Sequence, residues 1–211
     1  MSETNSVWND IFARDGRIFN QPNEDIPAFC TLLRAQNARK VLDLGCGSGR
    51  HVVYLASAGF DVCGLDQAPY ALDLASQWLQ EAGLQADLRP GDMLEPLPFA
   101  DETFDGILSI AVIHHTVLAK IRGIIAEMER VLKPGGLIFV TVARKYREPD
   151  DVPSEEIEPD TYVPLGGSEQ GLPHHLFTEE TLRDVFSSFT ILETHVSNKK
   201  HHVCITAKKS A

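Results

Sequence analysis

Apolar residues in this chain follow two rhythms. Short continuous or alternating runs at residues 41–44, 61–65, 84–88, 104–110 and 137–142 have the length and composition of half-buried or buried strands. Between them, apolar residues recur three and four apart. Val52, Leu55 and Ala56 mark one helix, ended by Gly59; Leu74, Ala75, Trp78, Leu79 and Ala82 mark another, opened by Pro69 and stopped by Gly83. Ile121, Ile124, Ile125, Met128, Val131 and Leu132 form the strongest amphipathic stripe, before a turn at Lys133-Pro134-Gly135-Gly136. Upstream, residues 22–34 read as a helix with Ile26, Phe29, Cys30 and Leu33 on its apolar face. Val7, Trp8, Ile11 and Phe12 make an aromatic arm, expected to pack on the core or to cover a site.

After residue 143 the rhythm breaks. Residues 148–160 mix seven acids with three prolines and read as a mobile, solvated loop without chemistry. Thr178 with Glu179 and Glu180 opens a last helix, and residues 189–196 and 202–207 form a terminal antiparallel hairpin at the sheet edge. Alternating strands and helices require a parallel sheet with helices on both faces, an α/β, Rossmann-like doubly wound architecture. The 211 residues suit a single domain: an N-terminal helical arm or lid (1–36), a core (37–143), a mobile loop or substrate lid (144–176), and a C-terminal helix and hairpin (177–211).

Composition narrows the function classes. A hydrophobic fraction of 43% excludes a largely disordered chain, and no apolar run reaches the roughly 20 residues of a membrane span. The four cysteines include no Cys-x-x-Cys pair, and residues 1–10 lack a basic, then apolar, leader pattern; a reducing, cytoplasmic setting is expected. The net charge of −11 turns expectation away from nucleic acid and towards a small-molecule partner, with no membrane.

The chemistry centres on residues 41–49, where a strand ending in Asp43 and Leu44 runs into Gly45, Cys46, Gly47, Ser48 and Gly49 and then a helix. Glycines so spaced suit a sharp turn whose backbone N–H groups approach a ligand. A dinucleotide fingerprint wants its third glycine one residue later, where Arg50 stands, and Asp43 would repel a pyrophosphate. Asp66 falls about 20 residues on, where an acid reaches ribose hydroxyls, and Asp92 ends the third strand. Asp43, Asp66, Asp92 and Ser109 thus gather at the C-terminal sheet edge. The set asks for an adenosine carrying an amine and no phosphate.

On these motifs the chain resembles the class I S-adenosylmethionine-dependent methyltransferases from about residue 41 to 142. Asp43, Gly45, Cys46, Gly47 and Gly49 match the family's first motif; Asp66 with Gln67, Asp92 with Met93, and Ser109 with Ile110 take its remaining cofactor positions, and residues 130–136 its turn before the fifth strand. The resemblance implies S-adenosylmethionine as cofactor, S-adenosylhomocysteine as product, and a seven-stranded sheet of order 3-2-1-4-5-7-6 with strand 7 antiparallel. The small tellurite-resistance-type enzymes and the wobble-uridine tRNA methyltransferases look nearest. A small-molecule acceptor is expected, with an RNA methyltransferase and a non-catalytic cofactor-binding subunit as alternatives, and monomer or homodimer left open. His114, His115 and His174 are the candidate catalytic residues, while His201 and His202 read as edge-strand residues. Neighbouring histidines in extended chain point opposite ways, and with no Cys or carboxylate at ligand spacing no metal is expected.

Overall fold

Strand residues that alternate between two apolar layers require cover on both faces, and the computed structural model supplies it. It describes residues 3–145 and 152–210, with side chains from residue 7 onward. In chain order the elements are α1 (Glu3–Asp15), α2 (Ile26–Ala35), β1 (Lys40–Leu44), α3 (Arg50–Ser57), β2 (Asp61–Asp66), α4 (Pro69–Ala82), β3 (Asp87–Pro90), β4 (Phe104–Ile110), α5 (Leu118–Val131), β5 (Leu132–Ala143), β6 (Ser154–Glu158), β7 (Thr161–Pro164), β8 (His174–His175), α6 (Glu179–Val185), β9 (Phe189–Val196) and β10 (His202–Lys209). Seven strands form one sheet of order β3-β2-β1-β4-β5-β10-β9. β10 runs antiparallel to β5 and β9, and the other pairings are parallel. With β9 and β10 as the sixth and seventh strands, this is the expected order.

Alternation along each strand divides the core. Leu42, Leu44, Ile138, Val140 and Ile205 join the layer completed by Ile121, Ile125 and Met128 of α5 and Leu182 of α6. Val41, Leu108, Phe139 and Cys204 face Phe29 and Leu33 of α2 and Leu55 of α3. Fully burying a side chain of this kind contributes about 1.5–3 kcal/mol before chain entropy is charged.

Four boundaries differ from expectation, each for a local reason. α2 begins at Ile26 because Asn23 Oδ1 accepts the Asp25 N–H at 2.9 Å, an Asx turn that competes with helix. β3 begins at Asp87 because Leu84 closes the end of α4, its N–H bonding Leu79 O beside left-handed Gly83. The turn at 133–136 is absorbed into β5 as an irregularity, with Phe104 opposite Leu132 and Gly106 opposite Leu137. The acidic stretch is not a bare solvated loop: β6 pairs antiparallel with β7, and β7 with β8, in a second small sheet. Residues 148–151 of that stretch lie outside the described residues. Glu158 is what ties the small sheet down, accepting from Leu118 N at 2.7 Å and from Thr161 Oγ1 at 2.9 Å. It thereby supplies a partner for the first orphan N–H of α5.

Candidate active site

Parallel strands ending on one side open a crevice there, and a cavity of about 1030 Å3 occupies it. Its floor comes from Gly45, Cys46 and Gly47 after β1, Asp66 and Gln67 at the end of β2, and Gly91 and Met93 after β3. Ile110 and Thr141 from the ends of β4 and β5 continue the floor. Trp8 and Phe12 close it from above. Phe12 also packs on Ala68 and Ala71 at the start of α4, so the aromatic arm is at once a packing element and a wall of the cavity.

The loop after β1 departs from expectation in one respect. Its amides are spent inside the protein: Gly45 N and Cys46 N on Leu65 O, Gly47 N on Asp66 Oδ2 at 2.8 Å, and Gly49 N on Cys46 O. The glycines answer to close packing instead. A Cβ on Gly45 would lie 2.4 Å from Val112, and one on Gly49 would lie 2.7 Å from the Ala75 methyl, with φ at +89°. Gly49 caps α3 from outside the cavity.

The three acids are also sorted differently. Asp66 lines the cavity, with Oδ1 accepting from Ala68 N and Oδ2 from Gly47 N, both at 2.8 Å. Burial raises its pKa, and backbone N–H groups from Ala68, Gly47 and Gln67 oppose that. Asp92 does not line the cavity; its carboxylate closes its own turn on Leu94 N at 2.9 Å, and its neighbours Gly91 and Met93 face the space. Asp43 is 1% exposed beneath the loop, and Oδ2 has no partner. Burial pushes its carboxyl up to about 7, Arg50 pulling down and Asp66 pushing further up. An orphaned buried oxygen of this kind fits an incoming cationic donor. Ser109 is buried away from the cavity, its hydroxyl donating to Leu44 O at 3.0 Å.

Imidazoles cluster along the same cavity. Ala111, at a φ of +58° that only tight restraint sustains in a non-glycine residue, turns the chain after β4. Its N–H bonds both Thr141 O and Thr141 Oγ1. The turn brings His114 and His115 together, ring centroids 4.1 Å apart, where extended chain would have separated them. His174 lies 4.8 Å from His115 and His202 lies 6.5 Å from His114, while Trp8 meets His115 edge-on at 5.1 Å. His202 is therefore no edge-strand residue: β10 is interior and its first residue faces the cavity. His175 points the other way. The Thr161 hydroxyl that donates to Glu158 accepts from its Nδ1–H at 2.7 Å, and its backbone N–H holds His114 O at 2.9 Å.

Desolvation keeps the cluster neutral. It drives His114 well below the ordinary histidine value, takes His115 down to about 3, and lowers His174 and His202. Nδ1 of His114 and of His115 and Nε2 of His174 have no hydrogen-bond partner, the Glu169 carboxylate lying 3.3 Å from the last but out of line. Such a cluster offers polar nitrogens to a guest without placing positive charge beside it. Arg50, whose guanidinium lies 4.9 Å over Phe19, and His202 also line the cavity and were not singled out by pattern. Only the adjacency of Arg50 to the glycine turn pointed to it.

Residues 42–140 match the methyltransferase domain family. An uncharacterised methyltransferase of Synechocystis is 40% identical over 99 residues, covering 47% of this chain and 44% of that protein. A ubiquinone biosynthesis O-methyltransferase of Azorhizobium caulinodans is 32% identical over 113 residues, covering 54% of this chain and 44% of that one. The chain thus spans less than half the length of these relatives. A solved SAM-dependent methyltransferase from Methanosarcina mazei superposes with a TM-score of 0.68 at 28% identity, covering 81% of this chain and 92% of its own.

Proposed function

We propose that the protein is a class I S-adenosylmethionine-dependent methyltransferase that transfers a methyl group to a small-molecule acceptor, a reading supported by the match of residues 42–140 to the methyltransferase domain family and by the similar proteins above. The observation that carries this reading is the convergence on one cavity of Asp66 and the loop after β1 with the neutral imidazoles of His114, His115 and His174. Substrate pockets commonly run to about 300–1,000 Å3, so the volume of about 1030 Å3 leaves room for an acceptor beside a nucleoside.

The cofactor, when bound, supplies an activated methyl on a cationic sulfur. The remaining work falls to this chain. We assign Asp66 to the ribose hydroxyls, with Gln67 beside it, and Asp43 to the amino group, reached through a small shift of the loop over it. Gly91, Met93 and Ile110 offer apolar surface for the base. Trp8 and Phe12 exclude water, and the imidazoles orient the acceptor. Their neutrality matters, because a charged imidazolium would repel a sulfonium across the same space. Depressed basicity makes them weak proton acceptors, so an acceptor that arrives already ionised or uncharged at its nucleophilic atom suits the site. All four cysteines are free and buried, which supports a reducing compartment, and among the described residues no helix is long and apolar enough to cross a membrane.

The test is transfer of labelled methyl from S-adenosylmethionine to a panel of small phenols, thiols, amines and carboxylates, with undermodified tRNA as a further arm. Turnover on a small molecule that falls at least tenfold in His114→Ala is the expected result. Turnover on tRNA alone would replace the small-molecule reading, and no turnover with intact cofactor binding would favour a non-catalytic subunit.

A further inference from the structure

The absence of a Cys-x-x-Cys or His-Cys spacing argued against a metal, yet the fold assembles metal-ligating residues that are far apart in sequence. His195 on β9 sits directly across from Cys204 on β10, so their side chains share one face of the sheet. Asp25, in the N-cap position of α2, reaches over both. Its Oδ2 is 3.2 Å from His195 Nε2, and one ligand atom from each of the three residues lies within 4.8 Å of the other two. We propose that Asp25, His195 and Cys204 form a binding site for a zinc-type divalent cation, with water as the fourth ligand.

Several independent features favour a ligand there. An N-cap aspartate ordinarily spends its carboxylate on the first helical N–H groups; Asp25 makes no such bond and turns to the sheet instead. His195 Nδ1 is buried without a partner, while Glu193 Oε1 stands 3.9 Å away, placed to fix the ring once Nε2 is coordinated. Glu24 is a further neighbouring acid, held by the backbone N–H and side-chain amide of Asn198. Thiolate, imidazole and carboxylate make a borderline-soft donor set suited to tetrahedral zinc, whose bonds of about 2.0–2.3 Å put neighbouring ligand atoms roughly 3.3–3.8 Å apart. The side chains of His195 and Asp25 are about one-third exposed, at 32% and 28%, which leaves a route for the ion and a place for water, while Cys204 is fully buried beneath them.

Coordination is balanced by loss of one proton. The Cys204 S–H bond breaks, the proton leaves to solvent, and the sulfur bonds the cation; Asp25 and His195 coordinate through lone pairs. Cys204 is fully buried, so the cation itself must stabilise the thiolate. The site joins the start of α2 to the C-terminal hairpin. Glu24 and Ser197 on either side of it line the cavity, so loading would stiffen that rim.

Calorimetric titration of Zn2+ into chelator-treated full-length protein tests this, paired with Co2+ absorption. The expected results are one ion per chain, proton release, and a thiolate-to-cobalt charge-transfer band. Asp25→Asn and His195→Ala, at partly exposed positions where folding is readily checked, should abolish the stoichiometric binding. Glu193→Gln should weaken it by about 10–100-fold. His174→Ala should leave it intact. No stoichiometric ion, a cobalt spectrum without the thiolate band, or binding lost in His174→Ala and kept in His195→Ala would each overturn the proposal, the last by placing the ion among the cavity imidazoles.

Discussion

Asp43→Asn should stabilise the protein more the higher the pH, while harming cofactor binding. The wild-type carboxyl is wholly buried, with one oxygen unpartnered and its pKa raised to about 7. An unfolded aspartate titrates near 3.9. Between these values the native state holds a proton that the unfolded state has lost. Stability from this group is therefore complete below about 3.9 and falls as pH rises to about 7, by roughly 1.4 kcal/mol per unit. Over pH 5 to 8 only the two units below 7 count, a loss of about 3 kcal/mol. Asparagine does not titrate, so its own cost, about 1–3 kcal/mol for an unsatisfied buried amide, is the same at both ends. The difference in unfolding free energy between Asp43→Asn and wild type should move by about 3 kcal/mol in favour of the variant from pH 5 to pH 8. Urea unfolding at both pH values, with equal m-values as the check on two-state behaviour, measures it. A difference that does not change with pH would mean that the Asp43 carboxylate is already satisfied, and the argument that it awaits a cationic donor would fail with it.

Acid should expose the opposite sign in the histidines. His51, His114 and His115 are held neutral by burial, so below about pH 6.5 the unfolded chain takes up protons that the native state refuses. Asp43 and Asp66, shifted up, return part of this. A net loss of stability from pH 6.5 to 5 is expected in denaturant titrations; stability that stays level or rises would show the cluster protonating in the native state. Gly49→Ala should cost about 2–4 kcal/mol, from a left-handed φ and a Cβ forced against Ala75. A thermal melt within a degree or two of wild type would contradict the packing assigned to that turn.

Strand and helix rhythm was enough to read the sheet, because period-two and period-3.6 patterns follow from backbone geometry alone. Pro69, Gly83 and Thr178 marked element ends correctly because capping is local: Gly83 is left-handed, and the Thr178 hydroxyl accepts from Thr181 N. What depended on long-range placement was not legible. Nothing near Asp92 says that its carboxylate closes its own turn, or near Gly47 that its amide is already taken by Asp66. The pairing of His114 with His115 comes from the positive φ of Ala111, a conformation no residue type there announces. Glu158 looked like one solvated acid among many, and only the fold sets it against the first turn of α5. Asp25 and His195 meet across 170 residues, beyond the reach of any spacing rule.

The central claim is that the crevice above β1 and β2 receives a phosphate-free nucleoside sulfonium. Parallel calorimetric titrations of S-adenosylmethionine and NAD into the full chain address it most directly. The account predicts saturable one-to-one binding of S-adenosylmethionine, lost in Asp66→Ala, and no saturable binding of NAD. Tight binding of the dinucleotide, or S-adenosylmethionine affinity indifferent to Asp66, would contradict it.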